Sequence, residues 1–136
     1  MNLRIQVLRD VRANMLEHAR REPTLECCGL LAGRDGVITH VFPTANVVAD
    51  PATGYEIDPR ETVRLMREFR ERKLEFLGIY HSHPNGKNEP SARDVELAYY
   101  SEAIYFILSP LVDAPKPVRA FSIRDGRVTE LDIAIQ

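Results

Sequence analysis

Two histidines one residue apart, His81 and His83, precede Pro84, and Ser91 and Asp94 follow within the next eleven residues. On an extended backbone, residues i and i+2 share a face, so both imidazoles can be aimed at one point. Ser91-Ala92-Arg93-Asp94 reads as a helix start resembling a capping box, with Asp where Glu is usual. Two imidazoles and a carboxylate leave a tetrahedral cation one open position, which is the donor set of a catalytic zinc centre. Capping alone would account for Ser91 and Asp94, and a lone His-x-His is as often a pair of unliganded histidines. Together the four positions would arise by chance in a chain of this size on the order of once in several thousand sequences. Capping and ligation are also compatible, because the first helical turn holds a ligand rigidly and its dipole favours an anionic Asp.

A zinc hydrolase needs a carboxylate beside its water to take a proton. Glu26 stands immediately before the apolar run Cys27-Cys28-Gly29-Leu30-Leu31, at the start of an expected strand. A strand-end Glu by itself is usually just solvated; beside a metal pair it becomes a candidate general base.

The elements that must position these groups are readable from periodicity and punctuation. Leu3 and Ile5 suit a short strand or lead-in. Leu8, Val11, Met15 and Ala19 fall at helical spacing, and Pro23 ends that helix. Cys27 to Ala32 and Val37 to Phe42 are strands around the turn Gly33-Arg34-Asp35-Gly36. Residues 43–54 form a loop, with a short strand expected at Tyr55 to Ile57. Asp58-Pro59-Arg60-Glu61 is a strong helix start, predicting a helix to about Lys73 with Val63, Met66 and Phe69 or Arg70 inward. Phe76 to Tyr80 is the strand that delivers His81 and His83. A loop, a helix from Ser91 to about Ser101, and a strand over Ile104 to Leu108 follow. Val118 to Arg124 and Arg127 to Ile133 make a hairpin across Asp125-Gly126. The pattern predicts an α/β (α+β) fold with a curved, mixed, mostly antiparallel sheet flanked by helices.

A length of 136 residues suits one domain, spanning 1–136, and one hydrophobic core. The net charge of −2 argues against a nucleic-acid-binding surface, which would be basic. No apolar run reaches membrane-span length, and charges interrupt the region where a secretory signal would be apolar, so no membrane association is expected. Cys27 and Cys28 are strand neighbours pointing to opposite faces, poor disulfide partners, which fits a reducing, cytoplasmic setting.

Glu26 before a Cys-Gly-Leu-Leu-Ala-Gly strand, His81-Ser82-His83-Pro84, and Ser91-x-x-Asp94 together resemble the JAMM (MPN-plus, JAB-domain) zinc metalloproteases over nearly the whole chain. The resemblance implies a cytidine-deaminase-like JAB/MPN architecture. It implies that His81, His83 and Asp94 bind one catalytic zinc ion. Glu26 would be the general base that later protonates the leaving amine, and Ser91 would donate to the developing oxyanion. The short segments 43–54 and 110–117 resemble the compact prokaryotic branch. Some members of that branch hydrolyse an amide bond at the C-terminal tail of small ubiquitin-fold sulfur-carrier proteins. Gly-Gly tails suit such a site because they can thread as an extended strand. The rival readings are a DNA-repair-associated relative, which shares Gly86 and Pro90 with this chain, and a non-catalytic MPN scaffold. The oligomeric state is left open.

The remaining candidates have plainer explanations. Cys28 suits a core strand, and His18 and His40 suit the surface. Arg60, Arg64 and Arg67 are interspersed with glutamates, as on a solvated face. Tyr99, Tyr100 and Tyr105 suit packing, and Asn85-Gly86 suits a turn near the substrate entrance.

Overall fold

The computed structural model describes residues 3–136. Its elements are β1 (Arg4–Val7), α1 (Arg9–Arg21), β2 (Cys28–Arg34), β3 (Val37–Thr44), α2 (Pro59–Glu71) and β4 (Glu75–Ser82). They continue as α3 (Ala92–Glu96), β5 (Ile104–Leu108), β6 (Val118–Arg124) and β7 (Arg127–Ile135). The sheet curls until it closes into a barrel of order β1-β3-β2-β4-β5-β6-β7. The pairs β2/β3, β2/β4, β5/β6 and β6/β7 are antiparallel, and β1/β3, β1/β7 and β4/β5 are parallel. Both short hairpins turn on Asp-Gly, with positive φ at Asp35, Gly36, Asp125 and Gly126. That is the type I′ geometry whose twist matches the flanking strands.

Strand alternation sorts the apolar side chains into two cores. Leu31, Tyr80 and Phe106 pack with Val11, Met15 and Ala19 of α1. Their strand neighbours Leu30, Ile79 and Ile107 pack with Leu65 and Phe69 of α2. Residues 79, 81 and 83 share parity, so β4 carries its histidines toward the α2 side.

Several expectations need correction. Residues 55–57 form no strand. On α2 the inward residues are Leu65 and Phe69, with Met66 partly buried, whereas Val63 is 59% exposed. The inward stripe continues back to Thr62, a half-buried polar residue that an apolar count passes over. The helix after Ser91 ends at Glu96, and Tyr99 is 77% exposed; Tyr105 is buried and Tyr100, though exposed, packs edge-on against Phe76. His18 is not a surface residue. It is buried, with Nδ1 2.8 Å from the Tyr80 hydroxyl and Nε2 2.8 Å from Glu22. His40 is half-buried, and its ring stacks with Phe42. No helix among the described residues is long and apolar enough to cross a membrane.

Candidate active site

Register places the first three groups. Cys28 of β2 lies opposite His81 of β4. Carrying the antiparallel register two residues further puts Glu26 opposite His83, on the same face as His81. The Glu26, His81 and His83 side chains each present an atom within 4.8 Å of the other two, and all three residues are buried. α3 supplies the fourth group. His81 Nε2 is 3.2 Å from Asp94 Oδ1, His83 Nε2 is 3.1 Å from Asp94 Oδ2, and the two ring nitrogens are 3.1 Å apart.

Each group is held from behind. The His83 Nδ1–H donates to the Lys87 carbonyl at 2.7 Å, which turns Nε2 toward His81 and Asp94. That carbonyl is presented by a turn in which Asn85 Oδ1 accepts from the Lys87 amide and Gly86 takes a positive φ. Asn85-Gly86 thus supports His83. His81 lies under the Tyr55 ring, with centroids 4.3 Å apart and planes at 19°. Asp94 is fixed by a complete capping box: its amide donates to Ser91 Oγ at 3.0 Å, and the Ser91 amide donates to Asp94 Oδ2 at 2.9 Å. Ser91 is exposed at the edge of the cluster, and its hydroxyl proton is free to face a ligand.

The electrostatics follow from burial and pairing. Burial pushes the Glu26 carboxyl up to about 7, against the pull of a neighbouring His83 charge. Burial would also raise Asp94, but hydrogen bonds from both imidazoles hold it well below the usual carboxylate range. Burial lowers His81, whereas in His83 the Asp94 carboxylate and the Lys87 carbonyl outweigh burial and raise it. Glu26 Oε1 and His81 Nδ1 are buried without a hydrogen-bond partner. Two imidazole nitrogens facing one another beside a carboxylate, with an orphaned carboxylate oxygen nearby, form a donor set that suits a divalent cation. Its N/O composition suits zinc in particular.

A cavity of about 450 Å³ opens beside this cluster, lined by Ser91, Arg93 and Asp94 at one end and by Leu30, Ile79 and Tyr105 deeper in. Tyr55 and Ile57 line it too. The Asn46 side chain and the Val47 amide bind the backbone of Gly54 and Glu56. Tyr55 and Ile57 have no backbone hydrogen bond among the described residues. Tyr55 and Arg93 are the wall residues with no signal in the motif spacing. Tyr55 lies in a turn-rich stretch far from His81 in sequence, and only the folded chain brings the rings together.

A profile described as prokaryotic homologs of the JAB domain matches residues 8–124. The chain belongs to this family. Among JAB relatives, the desampylase of Haloferax volcanii is 38% identical over 113 residues, covering 79% of this chain and 81% of that protein. The CysO-cysteine peptidase of Mycobacterium tuberculosis is 35% identical over 119 residues, covering 85% and 80%. A solved Desulfitobacterium hafniense structure superimposes with a TM-score of 0.85 at 34% identity, covering 97% of this chain and 92% of that one. In this JAB chain Asp94 is the member of the Glu26, His81, His83 and Asp94 cluster that lines the cavity.

Proposed function

We propose that this protein is a zinc-dependent peptidase or isopeptidase. Its substrate is an amide bond at the C-terminal tail of a ubiquitin-like or sulfur-carrier protein. The observation that carries the reading is the convergence of His81, His83 and Asp94 on one point, with a buried, partnerless Glu26 oxygen alongside. The names of the relatives, a desampylase and a CysO-cysteine peptidase, support the substrate class.

In this reading His81, His83 and Asp94 hold one zinc ion. Zinc there supplies Lewis acidity to the carbonyl under attack and to water. Glu26, raised by burial into the range where it can both take and give a proton, accepts one from water and returns it to the leaving amine. Ser91 donates its hydroxyl proton to the oxyanion as charge develops. Tyr55 packs against one face of His81 and excludes water from it. The segment 54–57, which lines the cavity, can take the part of a strand edge. Its unpaired Tyr55 and Ile57 backbone groups can pair with an extended Gly-Gly tail lying in the cavity. The two free, buried thiols suit a cytoplasmic setting.

The test is to incubate zinc-loaded protein with a carrier adduct ending Gly-Gly-amide and to weigh the products. Release of the intact carrier and the free amine is expected, with none from Glu26→Gln. An intact adduct beside cleaved, unrelated short peptides would refute the substrate class.

A further inference from the structure

The cavity beside the cluster is walled largely by apolar side chains, and Arg93 stands in that wall. Arg93 lies between the capping Ser91 and Asp94. Its side chain is laid against Gly54: Cζ, Nε and Nη1 come within 3.5–3.7 Å of where a Cβ on Gly54 would sit. Among the described residues it forms no ion pair, although ten other arginine–carboxylate and histidine–carboxylate contacts at 2.7–3.9 Å show how readily this chain makes them. Asp94 is committed to the imidazoles. Glu56, the other carboxylate on the wall, is not within 4.0 Å of the guanidinium. Arg93 is exposed, and besides acting on the Glu26 carboxyl its unpaired charge faces whatever enters the cavity.

We infer that Arg93 sets the charge of the tail this enzyme accepts, admitting uncharged or acidic residues just ahead of the two glycines and turning away basic ones. The inference rests on the proposed reaction, in which the tail lies along residues 54–57. Gly54, which begins that segment, is the residue the guanidinium touches, so a side chain entering beside it meets the Arg93 charge. The apolar wall favours a tail residue such as Ala or Val, and the guanidinium adds attraction for Asp or Glu. An Arg or Lys there meets a like charge with no counterion, an arrangement that interfaces use to reject wrong partners.

The test uses a ubiquitin-fold protein ending Xaa-Gly-Gly, fused through a peptide bond to a reporter peptide, with Xaa as Ala, Glu or Arg. For zinc-loaded wild type, kcat/KM for the Ala and Glu tails should exceed that for the Arg tail by about tenfold, as like-charge repulsion at an interface allows. Arg93→Gln should bring the three tails together, and Arg93→Glu should reverse the order. Glu56→Gln should leave the preference for Ala and Glu over Arg in place; loss of the preference in that variant alone would assign it to Glu56. Zinc content and circular dichroism confirm that each variant is folded. Fluorescein-labelled tail peptides binding to Glu26→Gln, read by anisotropy, must show the same order, and adding Arg93→Gln must abolish it. Equal affinities for the Ala and Arg tails overturn the inference, whether or not any fusion is cut. The expected order of affinities with every fusion left intact would sustain it and refute the proposed reaction instead.

Discussion

Ser91 carries two separable duties, and two substitutions divide them. Its Oγ accepts the Asp94 amide at 3.0 Å, which starts α3, while its proton is proposed to serve the oxyanion. Replacing a capping Ser by Ala costs about 1 kcal/mol, but by Gly only a few tenths. α3 has five residues and buries none of them, so the loss falls locally on the turn that carries Asp94. About 1 kcal/mol spent in loosening Asp94 corresponds to a roughly fivefold weaker hold on zinc. Ser91→Ala should therefore bind zinc about fivefold more weakly in a chelator competition, whereas Ser91→Gly should stay within about twofold of wild type. Turnover behaves differently, because both variants lack the hydroxyl. Removal of one oxyanion donor lowers kcat by about 10²–10³ in the best-studied example, so at saturating zinc both should fall by that factor with KM little changed. If Ser91→Gly keeps the wild-type kcat while Ser91→Ala loses it, Ser91 is a cap alone and the donor role is wrong.

Glu26→Gln should hold zinc as wild type does and lose about 10²–10⁴ in kcat, the usual share of a general base; matching zinc loss would instead make Glu26 a ligand. In metal-free protein the raised Glu26 carboxyl means the fold binds more protons than the unfolded chain between about 4.5 and about 7. Its contribution to stability is present in full below that window and is lost as pH rises through about 7. Denaturant unfolding at a series of pH values should therefore show Glu26→Gln gaining on wild type from pH 5 to 8, and a constant gap would contradict the burial of Glu26. Gly29→Ala would set a Cβ 2.4 Å from the Tyr80 ring, which is fully buried and tied to His18. Overpacking of that kind costs about 1–3 kcal/mol, and an unchanged urea midpoint would show that Tyr80 can move.

The parts of this molecule that could be read from the chain are those governed by neighbours in sequence. Asp58-Pro59 starts α2 because the Asp58 side chain caps the Arg60 amide at 2.9 Å, and Ser91 and Asp94 close their box within four residues. The strand period that aims His81 and His83 together is equally local. Contacts across the barrel were not legible. Nothing near Tyr55 announces His81, and nothing near His18 announces the Tyr80 hydroxyl that draws it inside. The chemistry of Val63 suits an inward position, but two residues of α2 turn it about 200° away from Leu65, to the cavity wall. Tyr99 and Tyr100 suggested more helix, yet they follow a C-cap at Leu97 and leave the helical path.

The closing seam of the barrel has a consequence for how the chain acquires its structure. Arg4 to Val7 of β1 pair in parallel with Asp132 to Ile135 of β7, so one seam joins residues nearly the whole chain apart. Chain entropy makes such distant contacts the last and slowest to form. During synthesis β2, β3 and β4 can assemble through neighbouring contacts and bring Glu26 alongside His81 and His83. The seam must wait until residues 127–135 have left the ribosome. A nascent or truncated chain lacking β7 would hold His81 and His83 on a sheet still open along β1 and β6. Such an intermediate would expose the β1 and β6 edges that β7 covers in the finished barrel, a liability for aggregation.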